Sequence, residues 1–210
     1  PNVAVFTTFY PDHLNYYKSM DDYLYDKKAI FMYQKKDDYL IVNRALNKPL
    51  LHYINIMKSN VIFFTGYDFP YRLNYLKGEH NLENAVAAFK VAKILKMNQN
   101  KTVKIISDFK GLSFRQEVVG KKYNVMFIND TTSTTPVATI KAIDSFSDRK
   151  IILILGGNSK NLPWKELMNQ LAKVEKIVLL AGSFTNEILD TLRVTMPQKI
   201  SEKVYSDLEE

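Results

Sequence analysis

The sequence predicts an α/β protein with a mostly parallel sheet, and three observations carry that prediction. Short apolar runs of strand length recur along the chain, among them Val3 to Thr8, Val61 to Thr65, Ile151 to Leu155 and Ile177 to Leu180. Runs of this kind fit strands buried on both faces of a parallel sheet. In the second half they alternate with helical patterns, which points to right-handed βαβ crossovers. The third observation is a polar loop, Asn129 to Thr135, set between the apolar run Val125 to Ile128 and a helix that opens with Pro136. Thr135 suits the N-cap and Pro136 the first helical position.

In order along the chain, Val3 to Thr8 is a buried strand and Phe9 to His13 a polar turn. Ser19 to Lys28 is a helix, with Ser19 as N-cap and Asp21 and Asp22 in its first turn. Ile30 to Tyr33 and Tyr39 to Val42 read as strands around the charged turn Gln34 to Asp38. Ala45 to Lys58 is partly helical despite Pro49, and Val61 to Thr65 is a strand. Tyr67 to Lys77 connects. His80 to Lys96 is the clearest helix, with Leu82, Val86, Phe89 and Ile94 near helical spacing. A loop and a short helix, Val103 to Phe109, follow, and Gly111 ends that helix. Beyond it come strands Val118-Val119, Val125 to Ile128, Ile151 to Leu155 and Ile177 to Leu180. The helices between and after them are Pro136 to Phe146, Pro163 to Lys173 and Thr185 to Leu192. The composition changes near Phe109 to Gly111, so two domains are expected, 1–108 and 109–210.

The bulk numbers exclude some classes. No Cys is present, so disulfides and thiolate metal sites are ruled out. No apolar run reaches membrane-spanning length. Pro1 to Phe6 lacks the form of a signal peptide and enters directly into a strand, so the chain looks cut from something longer. Lys and Arg number 29 against 22 Asp and Glu, a net charge of +7. The lysines are scattered in pairs at most, without a basic stripe interleaved with aromatics. No nucleic-acid partner is expected, and an enzyme of anionic substrates accounts for the charge.

Five constellations could carry chemistry. Asp12-His13 follows the first strand, where an imidazole can ligate a metal or make a local hydrogen bond. Lys27 lies four residues after Tyr23 on one helix face. It becomes a metal partner only if its charge is inverted, as by carbamylation; otherwise it is a solvated lysine beside Lys28. Asn81 and Asn84 share a face at a helix start, where an amide can read a purine edge or cap the helix. Arg115 stands at the expected domain hand-over, able to reach a phosphate or to pair with Glu117. Gly156-Gly157-Asn158-Ser159-Lys160 follows a strand, with a backbone free to approach a ligand and a lysine to hold an anion.

The order and spacing of these pieces resembles the Mur ligases of peptidoglycan precursor synthesis, over nearly the whole chain. Asn129-Asp130-Thr131-Thr132-Ser133-Thr134-Thr135-Pro136 looks like the loop of the D-glutamate-adding branch. The resemblance implies a truncated P-loop-type central domain, 1–108, and a Rossmann-like C-terminal domain, 109–210, incomplete at its end. It implies an ATP-dependent amide ligase that phosphorylates the carboxylate of UDP-N-acetylmuramoyl-L-alanine and adds D-glutamate through an acyl phosphate. By resemblance His13 and carbamylated Lys27 (Lys28 if the register shifts by one) hold Mg2+ and serve as the catalytic pair. Asn81, Asn84, Arg115 and Asp130 match nucleotide-holding positions, and Thr134 and Lys160 match positions that hold the D-glutamate carboxylates. A cytoplasmic, monomeric full-length enzyme is implied. The chain departs from the pattern at Thr132, where a lysine is frequent, and at Phe114, where a histidine is common. It also lacks a Gly-rich phosphate loop with its Lys and Ser/Thr. The piece alone is therefore expected to be inactive. The competing expectations are a sibling Mur ligase, a folylpolyglutamate synthetase-like ligase, or a non-catalytic nucleotide- or nucleic-acid-binding module.

Overall fold

The computed structural model describes residues 1–14 and 16–209. They form two compact units, one of residues 1–10 and 19–129, the other of residues 11–18 and 130–210. By contact, the division falls at 129/130, whereas the change in composition lies near 109.

The first unit is built on three parallel strands in the order β1 (Val3–Phe6), β2 (Tyr39–Asn43), β3 (Asn60–Phe64). Strand side chains alternate between faces, and two cores result. Ala4, Phe6, Leu40 and Val42 pack with Leu24, Phe31, Leu46 and Leu50. Ile41 and Phe64 pack with Phe69, Ala85, Val86 and Ala87. The first face is covered by α1 (Met20–Lys27), α2 (Ala29–Met32) and α3 (Asn47–Ile54), the second by α4 (Glu79–Ile94), against which α5 (Gln99–Ser107) packs. Ser19 caps α1 by accepting the Asp22 N–H at 3.1 Å. Pro49 lies in the first turn of α3, where it breaks no helical hydrogen bond.

One expected strand and one expected pairing are corrected. Ile30 to Tyr33 is helical, forming α2 and the residue that caps it. Of these side chains only Phe31 is fully buried, while Tyr33 is 87% exposed. Val125 to Ile128 lies in no parallel sheet. It forms β5 (Val125–Asn129), paired antiparallel with β4 (Glu117–Lys122). Tyr123 and Asn124 join the pair in the left-handed region, at φ 48 and 65, the backbone of a two-residue hairpin turn.

The second unit holds a parallel sheet, β6 (Ile152–Leu155), β7 (Lys176–Leu180) and β8 (Ile200–Tyr205), in that order. The last strand was absent from the sequence expectation. Leu155, Ile177 and Leu179 share a core with Ile143 of α6 (Pro136–Ser145), Leu167 and Leu171 of α7 (Lys165–Leu171), and Ile188 and Leu192 of α8 (Ser183–Thr195). The alternate residues of β6, Ile152 and Ile154, are exposed. Among the described residues, no helix is long and apolar enough to cross a membrane.

Candidate functional site

In the second unit, three loops bring polar side chains together. The first follows β5. Asp130 closes it, accepting from Ser133 Oγ at 2.6 Å through Oδ2 and from the Ser133 N–H at 2.9 Å through its carbonyl. Thr135 then caps α6, its Oγ1 accepting the Ala138 N–H at 3.3 Å, with Pro136 in the first turn as its fixed φ favours. The turn leaves Thr134 at its exposed tip.

The second loop follows β6 and carries Lys160. It is pinned to the start of α8: the Phe184 N–H donates to Gly157 O at 3.1 Å and the Ser159 N–H to Ser183 Oγ at 2.9 Å. Gly157 adopts φ 105, a glycine conformation. A Cβ at Gly182 would run into the Gly157 carbonyl, so the two loops touch backbone to backbone. The result places Lys160 Nζ 3.0 Å from Thr134 Oγ1, to which it donates.

The third loop, residues 11–18, supplies Asp12 and His13. Asp12 Oδ1 lies 3.5 Å from Lys160 Nζ and accepts the His13 N–H at 2.9 Å; Asp12 Oδ2 is 3.6 Å from His13 Nε2. His13 has φ 56, and its carbonyl accepts from Tyr16 and Tyr17. Among the described residues, no cluster of three or more His, Asp and Glu side chains has metal-holding geometry. Magnesium takes oxygen ligands and is commonly held through one or two carboxylates plus substrate phosphates, a set that needs no such cluster.

The first unit carries the remaining candidates. Lys27 ends α1, exposed, with Nζ 5.3 Å from the centroid of the Tyr23 ring. Lys28 Nζ lies between Tyr25 and Tyr53, 4.3 and 4.5 Å from their centroids. Neither asparagine caps α4; Gly78 stands at that position. Asn81 Nδ2 donates to Lys77 O at 2.7 Å, and Asn84 is exposed. Arg115 is exposed, and Glu117 accepts from the Phe114 N–H at 2.8 Å rather than from Arg115. His80 Nε2 lies 3.4 Å from Gln116 Nε2, so the start of α4 meets the turn that carries Arg115.

The structure thus joins Thr134 and Lys160 directly and links His13 to Lys160 through Asp12, with Asp130 closing the Thr134 turn. In the other unit His80, at the start of the helix that carries Asn81 and Asn84, meets Gln116, the neighbour of Arg115, and Lys27 lies against its own tyrosine. Sequence reasoning passed over Gly182 and Ser183, which hold the Lys160 loop. Their signal was a Gly-Ser pair opening a helix directly after an apolar strand.

Residues 1–70 match the Mur ligase middle domain. Over 91% of its length the chain is 32% identical to the UDP-N-acetylmuramoylalanine--D-glutamate ligase of Aquifex aeolicus, of which it covers 48%. The chain is a Mur ligase homologue. A second relative, the UDP-N-acetylmuramoylalanine--D-glutamate ligase of Borreliella afzelii, is 34% identical over 91% of this chain and 47% of its own length. The chain spans about half the length of the relatives it matches. The Mur ligase fold is shared with the MurF ligase of Thermotoga maritima, solved in complex with ADP: the TM-score is 0.66 at 16% identity, over 95% of this chain and 57% of that one. The α/β class expected from the sequence holds for this Mur ligase homologue, with two parallel sheets and one antiparallel hairpin among the described residues.

Proposed function

We propose that the chain is part of an ATP-dependent amide ligase that adds D-glutamate to UDP-N-acetylmuramoyl-L-alanine in peptidoglycan precursor synthesis. Residues 1–108 are assigned to the central, nucleotide-binding domain and 109–210 to the C-terminal domain. The observation that supports this best is Lys160 Nζ directed at Thr134 Oγ1 across 3.0 Å, from two separate loops. A fixed cation beside a hydroxyl is a receptor for a carboxylate. The similarity to D-glutamate ligases over nine-tenths of the chain supports D-glutamate as the source of that carboxylate.

In the proposed reaction the carboxylate of the L-alanyl substrate takes the γ-phosphoryl group of ATP. The amine of D-glutamate then attacks the acyl phosphate, the amide bond forms and phosphate leaves. Lys160 and Thr134 hold D-glutamate so that its amine meets that carbon, which converts an encounter into a positioned attack. Asn81, Asn84, Arg115 and Asp130 are assigned to the nucleotide. His13 and Lys27, as its carbamate, are the residues that would hold magnesium, and the ion would supply charge stabilisation for phosphoryl transfer. The enzyme is assigned to the cytoplasm as a monomer.

The 210 residues contain no phosphate loop of the Gly-Lys-Ser/Thr type, so phosphoryl transfer needs a segment from elsewhere. The test is a chimera carrying the N-terminal half of the Aquifex aeolicus relative fused ahead of Pro1. Phosphate release that requires both UDP-N-acetylmuramoyl-L-alanine and D-glutamate is the expected result. Release with L-lysine or L-alanine in place of D-glutamate contradicts the assignment, whereas release by the unfused 210-residue chain that needs both substrates contradicts only its expected inactivity alone.

A further inference from the structure

Lys160 already has a carboxylate beside it. Its ammonium donates to Thr134 Oγ1 at 3.0 Å and stands 3.5 Å from Asp12 Oδ1. Asp12 is steadied from behind, by the His13 N–H at 2.9 Å on Oδ1 and by His13 Nε2 at 3.6 Å from Oδ2. The Lys160 and Asp12 side chains are 40% and 29% exposed, so the pair is within reach of a solute. Asp12 thus stands beside the Lys160 cation, where the proposed function puts the carboxylate of D-glutamate. A lysine ammonium has three donors, enough to hold Thr134 and either carboxylate. Two carboxylates on one ammonium repel each other at this range.

Resting on that function, we propose that Asp12 is the resident carboxylate of the amino-acid subsite. It keeps Lys160 against Thr134 while the subsite is free, and an incoming carboxylate displaces it from Lys160 Nζ. Asp12 then retains its contacts to His13. In this account Asp12 is a positioning residue that never touches the substrate. It prepares the cation, and it competes with the ligand for that cation. The subsite accordingly takes carboxylates rather than uncharged ligands, because only an anion replaces what Asp12 provides.

The test reads Lys160 directly. The 210-residue chain and its Asp12→Asn and Asp12→Ala variants are acylated with a small N-hydroxysuccinimide ester, and each lysine is followed by mass spectrometry. Lys150, whose side chain is 85% exposed, is the internal reference. Glutarate is the probe, a dicarboxylate with no amine to consume the reagent. Loss of Asp12 is expected to speed acylation of Lys160 by about two- to fivefold, the weight of one exposed ion pair, with Lys150 unchanged. Glutarate is expected to protect Lys160 in every form, at a lower concentration in the Asp12 variants. Unchanged acylation of Lys160 overturns the proposal. Protection that needs more glutarate in the variants also overturns it, because Asp12 would then help to hold the ligand. Faster acylation with no protection in any form removes the carboxylate subsite itself, and with it both the exchange and the D-glutamate assignment.

Discussion

Asp38 shows how much local structure one side chain can fix. It is 8% exposed, and its carboxylate accepts the Lys35 N–H at 2.6 Å and Asn2 Nδ2 at 2.8 Å. The Lys35 backbone hydrogen bond first, and then Asn2, hold its carboxyl below the ordinary 3.8. A carboxyl with a lower native than unfolded pKa stabilises the fold at pH values above the unfolded one. That contribution fades as pH falls below 3.8 towards the native value. Asp38→Asn is therefore expected to lower the melting midpoint at neutral pH, and the gap to the parent is expected to close in acid. Melting curves across that range check it, and a gap that widens in acid contradicts it. Gly182 makes the complementary case, since its missing side chain is what matters. A Cβ there meets the Gly157 backbone, which cannot turn aside as a flexible side chain would. Gly182→Ala is expected to cost about 1–3 kcal/mol by overpacking and to shift the amide resonances of residues 157–160. A Cβ at Gly120 meets nothing, so Gly120→Ala is expected to change stability by less than about 1 kcal/mol. Equal effects from the two substitutions contradict this account. Both residues are plain glycines in the sequence, and only the fold tells them apart.

At the scale of elements, caps and long periodic helices were legible because their signals are local. Ser19, Thr135 and Pro136 mark helix starts by chemistry that needs no distant partner. The short apolar run Ile30 to Tyr33 was not legible, because a run of four fits a strand or one buried helical turn equally well. Phe31 decides α2 by inserting between Phe6 and its neighbours, with Phe6 5.7 Å away edge-on, a contact between residues distant in sequence. The hairpin of β4 and β5 did have a local signal, the two residues Tyr123-Asn124 between β-rich runs. The apolar composition of Val125 to Ile128 argued for burial and won the reading wrongly. The sheet of the second unit has two unlike faces. Leu179 is 1% exposed and Ile154 is 54% exposed. Leu179→Ala is expected to cost about 2–5 kcal/mol, and Ile154→Thr less than about 1 kcal/mol. Denaturant titration checks both, and a large loss at Ile154 would mean that its face is covered in solution.

At the scale of the molecule, the alternation of apolar runs and helices revealed the fold class, and the order of five polar clusters revealed the family. Asp12's contact with Lys160 was hidden, because it joins residues far apart in the chain. So was the grouping of residues 11–18 with 130–210, which composition along the chain cannot register. Lys160 and Thr134 are proposed as a receptor for D-glutamate. The most direct test of this proposal is an amide chemical-shift titration of the 210-residue chain with D-glutamate, with L-glutamate, and with D-glutamate after Lys160→Met. Shifts are expected in residues 130–135 and 156–161 with D-glutamate, weaker ones with its mirror image, and none in the variant. Shifts scattered elsewhere, or equal for the two enantiomers, or surviving the loss of Lys160, would contradict it.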